Sequence, residues 1–265
     1  SQRQLLKRAA QEGMVLLKNE NILPMKKDIS SIGIIGPNGT KAQIIGGGSA
    51  TLVPYYESHP IEAFKSSLND NTVIRFSKGC HTYRYLPEIN KSLTKEDGFL
   101  VEYFNVTEDG NDFISSKVLT GSKFWVFEGF AKDIIGGDEK PDILVKFSCT
   151  YTPNITGEHN FEIFAIGKSK LLIDETEIID NWTNTSPGDA FFAHGTTSKR
   201  GSKVLKKNKS YKIEIQYKFE GNFPAIYIGC QPPDKIDLMD EALNIAKEVE
   251  QVVLMVGTNS DWETE

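Results

Sequence analysis

Hydrophobic and polar positions follow two different periodicities along this chain. In "YKIEIQYKF" (211–219), Tyr211, Ile213, Ile215, Tyr217 and Phe219 alternate with Lys212, Glu214, Gln216 and Lys218. A period of two with one polar face predicts an antiparallel strand that is wet on one side. "FLVEYF" (99–104), "ILVKFSCTY" (143–151), "NFEIFAI" (160–166), "KLLID" (170–174) and "AIYIGC" (225–230) predict further short strands. Joined by Gly, Pro and Asn turns, they predict a β-sandwich over residues 97–233.

The flanking segments read as α/β. Residues 2–12 carry Leu5, Leu6, Ala9 and Ala10 on one side of a short amphipathic helix. "MVLLKN" (14–19) and "TVIRFSKGC" (72–80) predict strands, and "SIGIIGPNG" (31–39) a buried strand running into a tight turn. A helix with Ile61, Phe64 and Leu68 on one face starts at His59-Pro60. After the stiff "PPDK" (232–235), Asp237 caps a helix with an acidic first turn, Asp240 and Glu241. Its apolar stripe is Leu238, Ala242, Ile245, Ala246 and Val249, and "VVLMVG" (252–257) predicts a buried strand.

Removing the β-rich segment leaves strand, helix, strand: a βαβ unit whose crossover holds an insertion. Parallel strands at 73–77 and 252–256 would end on one rim of the sheet, where open α/β sheets bind ligands. The insert departs from one strand end, and Asp261, Glu263 and Glu265 follow the other. The insert is therefore expected beside the acids.

Composition narrows the class. The 265 residues suggest about two domains. A net charge of −6 argues against nucleic acid and anionic membrane as partners. No apolar run approaches the ~20 residues of a membrane span. The polar opening "SQRQLLKRAA" has no signal-peptide pattern. Three cysteines, Cys80, Cys149 and Cys230, cannot all pair within the chain, and none lies in Cys-x-x-Cys spacing. This favours a reducing, cytoplasmic compartment over secretion, against which stand sequons such as Asn105 and Asn154. No metal or cofactor is expected.

Five motifs then occur in order: "LLKNENILPM" (16–25), "IGIIGPNGT" (32–40), "GGGSATLVP" (46–54), "KGC" (78–80) and "VVLMVGTNSDWETE" (252–265). Together they resemble the α/β-sandwich domain of glycoside hydrolase family three, typified by β-glucosidases. "AIGKSKLLIDETEIIDNW" (165–182) resembles the protective-antigen-type (PA-fourteen) β-sandwich, which some members carry as an insertion. The resemblance implies a mostly parallel sheet with helices on both faces, split into 1–96 and 234–265 and continuing past Glu265. It implies a barrel domain before Ser1, supplying the nucleophilic Asp. The implied reaction is retaining hydrolysis of terminal β-glucosyl residues from a β-glucoside or short glucan, cellobiose included. Such hydrolysis needs two carboxyl groups about 5–5.5 Å apart.

The family takes its acid/base from a Glu-Gly pair in this domain. That points to Glu265, with Glu263 as runner-up. Ser260-Asp261-Trp262 mimics the family's nucleophile triplet but follows a βαβ unit of the other domain. Asp261 is therefore read as a loop acid, and Trp262 as a sugar-stacking or packing residue. "GPNG" and "GGGS" fit neither Gly-x-Gly-x-x-Gly nor a P-loop. In the adhesin-like relatives of the insert, adjacent aspartates hold calcium. Here Lys168 occupies that loop, so no calcium site is expected there, and Asp174 and Asp180 are read as turn and packing residues. "NWTNTSPGDAFFAHGT" (181–196) offers Phe191 or Phe192 as a lid limiting glucan length, the alternative being rings packed under their own loop. "SKRGSKVLKKNKSYK" (198–212) reads as a solvated basic hairpin. A non-catalytic carbohydrate-binding or adhesin-like module is the alternative function. A third reading is an architectural subunit completing an oligomer, a homo-oligomer included.

Overall fold

A computed structural model describes residues 1–44, 46, 51–125, 129–131, 142–221 and 223–262. The chain opens with α1 (Gln2–Glu12), β1 (Ser31–Ile35), α2 (Pro60–Ser67) and β2 (Val73–Ser77). The strands that follow among the described residues are β3 (Phe99–Thr107), β4 (Gly110–Leu119), β5 (Lys123–Trp125), β6 (Ile143–Tyr151), β7 (Gly157–Ala165), β8 (Gly167–Ile173), β9 (Thr176–Asn181), β10 (Lys199–Leu205), β11 (Tyr211–Phe219) and β12 (Ala225–Gln231). The chain then returns to α3 (Leu238–Glu248) and β13 (Gln251–Leu254).

β1 is the centre of a parallel sheet ordered β13-β1-β2. Ile32 through Ile35 are buried, as an apolar run covered on both faces requires. From β2 the crossover through α3 passes β1 to reach β13, whereas β1 reaches β2 through α2. Right-handed crossovers in opposite directions put α2 and α3 on opposite faces. Asp237 caps α3 by accepting from Met239 N and Asp240 N, both at 2.9 Å. Leu238, Ala242, Ile245, Ala246 and Val249 turn inward, as their spacing predicts. At Gly33 a Cβ would stand 3.0 Å from Ile245 and 3.2 Å from Val249, so the missing side chain sets how closely α3 sits. Ser77 Oγ donates to Glu241 Oε2 at 2.8 Å, tying the end of β2 to α3.

Two α/β expectations need correction. "MVLLKN" is not a strand: residues 14–19 are irregular and exposed. Among the described residues no strand pairs with them, and Asn19 Oδ1 instead holds the next turn, accepting from Ile22 N at 3.1 Å and Leu23 N at 3.0 Å. "VVLMVG" is an edge strand rather than a buried one. Its side chains alternate, and Leu254 is 65% exposed. α3 packs over β2 and β1 and leaves that face of β13 open.

The middle strands form two antiparallel sheets, β4-β3-β6-β11-β8-β9 and β10-β7-β12-β5. Phe99, Val101, Phe147, Ile213 and Tyr217 from the first sheet share one hydrophobic cluster with Phe124, Phe161, Ile163 and Ile228 from the second. Each such fully buried side chain contributes about 1.5–3 kcal/mol. The buried Tyr217 hydroxyl donates to Ile166 O at 2.9 Å and accepts from Ala225 N at 3.1 Å, a polar tie between the sheets. The expected basic hairpin at 198–212 is not one. β10 pairs with β7 in one sheet and β11 with β6 and β8 in the other. Alternation identifies each strand's buried face but not its neighbour.

Candidate functional site: the rim of the parallel sheet

The three parallel strands end on one rim, and the turn after β1 laces it together. Gly36 N donates to Ser77 O at 3.0 Å, Met255 N to Ile35 O at 2.7 Å and Asn38 N to Met255 O at 3.3 Å. The Asn38 side chain donates to Thr258 O at 3.2 Å. Gly36 has φ +126°, and a Cβ there would lie 2.3 Å from Met255 O. Only glycine fits both that backbone and that approach. "GPNG" is thus the stitch that fixes the segment following β13. In "GGGS", residues 47–49 lie outside the described residues.

That segment carries Asp261 and Trp262 in a single turn, Ser260–Trp262. Asp261 N donates to Asn259 Oδ1 at 3.1 Å, and Asn259 Nδ2 donates back to Asp261 Oδ2 at 3.3 Å. The Trp262 indole N–H donates to Thr82 O at 2.8 Å, while the residue remains 50% exposed. Trp262 thus has a polar anchor together with open surface. Glu263 and Glu265 lie outside the described residues.

The linker leaving β2 builds the adjoining wall. His81 Nε2 stands 2.8 and 3.0 Å from the two Asp234 oxygens, and Nδ1 stands 3.1 Å from Lys78 Nζ. The ammonium can only donate, so Nδ1 accepts and the ring proton on Nε2 goes to Asp234. Lys78 also donates to the Tyr83 hydroxyl at 3.3 Å, and the Tyr83 ring stacks on His81 at 4.9 Å. This pins the outgoing linker to the returning one. Sequence reading missed the trio, because His81 and Asp234 are 153 positions apart. "KGC" and "PPDK" mark only the ends of the linkers.

Beyond it lies an aromatic cluster. Phe164 stacks on Tyr227 at 4.8 Å, Tyr85 packs tilted against Phe164 at 4.4 Å, and Phe191 lies 5.5 Å from Phe164. Phe192 stacks on Trp125 at 6.1 Å yet is 52% exposed. The rings therefore pack beneath their loop and also present one face outward. Phe191, Phe192 and Ala193 all have positive φ (51°, 59° and 62°). Left-handed backbone costs L-residues about 1–2 kcal/mol each, so the surroundings must hold this turn in place. Burial raises the Tyr227 hydroxyl well above the usual tyrosine range, and the Glu88, Glu162 and Asp261 carboxylates add to it. The Trp262–Thr82 bond brings the acid-bearing segment beside the linker that leaves β2.

Other candidates lie elsewhere. Trp182 is half-buried beneath Lys170, 5.7 Å from its ring, outside the cluster. Asp180 Oδ1 accepts from Trp182 N at 2.7 Å and Thr183 N at 2.9 Å, closing a turn, and Asp174 Oδ1 accepts from Lys212 N at 2.9 Å, tying its turn to β11. Lys168 pairs with Glu220 at 3.1 Å. Among the described residues no three His, Cys, Asp or Glu side chains gather as a metal site. A cleft of about 640 Å³ runs along α3 and β2, lined by Arg75, Asp237, Asp240, Glu241 and Glu248, and includes none of the candidate residues.

Comparison with known proteins agrees with this architecture. The family profile described as "Glycosyl hydrolase family 3 C-terminal domain" matches residues 14–265. A protein of Aspergillus terreus, "Probable beta-glucosidase I", is 34% identical over 98% of this chain and 32% of its own length. A "Beta-glucosidase" of Rhizobium radiobacter is 29% identical over 99% of this chain and 32% of its own. The crystal structure of a beta-glucosidase from Kluyveromyces marxianus superposes with a TM-score of 0.68 at 24% identity, over 99% of this chain and 32% of that one. The chain thus spans about a third of the length of the relatives it matches. With its parallel rim, its acid-bearing final segment and a profile match over nearly its whole length, the chain belongs to the glycosyl hydrolase family 3 C-terminal domain family.

Proposed function

We propose that this chain is part of a retaining β-glucosidase and supplies its acid/base loop. A barrel domain preceding Ser1 supplies the nucleophile, and together they hydrolyse terminal non-reducing β-D-glucosyl residues. The α/β domain comprises 1–96 and 234–265, and a protective-antigen-type sandwich at 97–233 is inserted into its crossover. Glu265 protonates the leaving oxygen and then activates water, with Glu263 as the second candidate. Phe191 and Phe192 overhang the sugar as a lid limiting glucan length, and Trp262 and Asp261 flank it.

The observation that carries this reading is the lacing of the rim. The segment running into Glu263 and Glu265 is tied to β1 through Asn38 and to the insert's linker through Trp262 and Thr82. The ties end at Trp262, and a segment held up to that point supports the assignment of an acid just after it. The relatives' names support the reaction class. In the complete enzyme, Glu265→Gln is expected to lower kcat/KM by about 10²–10⁴-fold for substrates with poor leaving groups. Glu263→Gln should cost far less, and parent-like turnover in Glu265→Gln would remove the assignment. The chain alone is expected to be inactive, so turnover of an aryl β-glucoside by it would refute the need for a barrel.

A further inference from the structure

The linker leaving β2 touches several described parts of the candidate site. His81 meets Asp234, and Thr82 O accepts from Trp262. Leu86 O accepts from the Tyr227 hydroxyl at 2.7 Å, and Pro87 O accepts from Cys230 N at 2.8 Å. Between these fixed points Arg84 extends to Asp189, the residue that opens the left-handed turn. The Arg84 side chain is only 14% exposed, against 71% for Asp189. The Tyr85 hydroxyl adds a second donor to Asp189, at 3.3 Å.

We propose that Arg84 is a positioning residue: its ion pair with Asp189 sets the Phe191–Phe192 turn against Trp125 and fixes how far the two rings project. Its effect on substrate length rests on the lid reading above. Two observations carry the positioning role. Three successive L-residues in left-handed backbone persist only where the surroundings over-determine them. The turn's own bonds, Ala193 N to Asp189 O at 3.3 Å and His194 N to Phe191 O at 3.2 Å, are internal, and Thr196 N to Ala165 O at 2.8 Å holds its far end to β7, but none of these places its near end relative to the rim. Arg84 does, because the linker bearing it is bonded to the rim segment and to the insert. The Arg84 side chain is mostly buried, so the linker holds it in place while it reaches the exposed Asp189.

The test is the nuclear Overhauser contact between the Phe192 and Trp125 rings in this chain. Arg84→Ala and Asp189→Asn should each weaken it at least threefold, with β11 amide shifts unchanged. The exchanged pair Arg84→Asp/Asp189→Arg should restore at least half. Should the exchanged pair fail to fold, Arg84→Lys, which keeps the charge, should retain most of the contact. An undiminished contact in both single variants overturns the proposal. In the complete enzyme, Arg84→Ala should lower KM for a four-unit β-glucan about threefold relative to an aryl β-glucoside. If the ring contact is lost and that ratio stays fixed, the anchor stands and the lid reading falls.

Discussion

Replacing Gly36 with alanine is the sharpest probe of how the rim is held. The new Cβ would lie 2.3 Å from Met255 O and 2.8 Å from its carbonyl carbon, both backbone atoms, so no side-chain movement relieves the overlap. The φ of +126° adds about 1–3 kcal/mol for an L-residue. Separating the strand ends weakens the Gly36 N–Ser77 O and Asn38 N–Met255 O bonds, each worth about 1 kcal/mol net. The sum is roughly 3–5 kcal/mol, concentrated on the parallel sheet. Hydrogen exchange resolves this better than a global melt. The Met255 amide, bonded to Ile35 O at 2.7 Å, should lose about two to three orders of magnitude of protection. The Ile215 amide, deep in the antiparallel sheets, should change little. Undiminished Met255 protection in Gly36→Ala would refute the argument that this turn laces the rim.

Two further outcomes follow from the antiparallel sheets. Tyr217→Phe removes a hydroxyl satisfying both Ile166 O and Ala225 N, and should cost about 2–4 kcal/mol by urea denaturation; a change under ~0.5 kcal/mol would contradict its role as the tie between sheets. His159 is fully buried, and burial lowers its pKa while the Nδ1 bond to Gly157 O opposes this. Its folded pKa is therefore below the unfolded value of about 6.5, so its contribution is complete above that pH. It is lost as pH falls from about 6.5 through the lower folded value, at no more than about 1.4 kcal/mol per unit. His159→Phe should flatten that part of the Tm–pH curve between pH 8 and 5, and an unchanged slope would assign the acid sensitivity elsewhere.

Sequence pattern reached local structure well where one periodicity dominated. The alternation at 211–219 became β11, and the stripe from Leu238 to Val249 became the inward face of α3. Pattern failed where partners are remote. An apolar run such as "MVLL" looks the same whether or not a strand lies beside it, and among the described residues none pairs with it. Neither β10 nor β11 encodes which sheet it joins. The turn at Phe191–Ala193 is invisible to propensity, since neither Phe nor Ala favours left-handed backbone. His81–Asp234 and Arg84–Asp189 each join residues more than a hundred positions apart, which no single-sequence spacing reveals. The motifs that mark the rim were legible, but their work was not: "GPNG" is a stitch between strand ends.

Azide rescue of Glu265→Gln in the complete enzyme tests the central claim most directly. A retaining enzyme lacking its acid/base still forms the glycosyl-enzyme from an activated aryl glucoside, and a small anionic nucleophile then replaces the water that Glu265 would activate. The account predicts that azide accelerates turnover of this variant and yields β-glucosyl azide, with no such rescue in Glu263→Gln. Rescue confined to Glu263→Gln would move the assignment to that residue. No rescue in either would contradict the claim that this loop carries the acid/base.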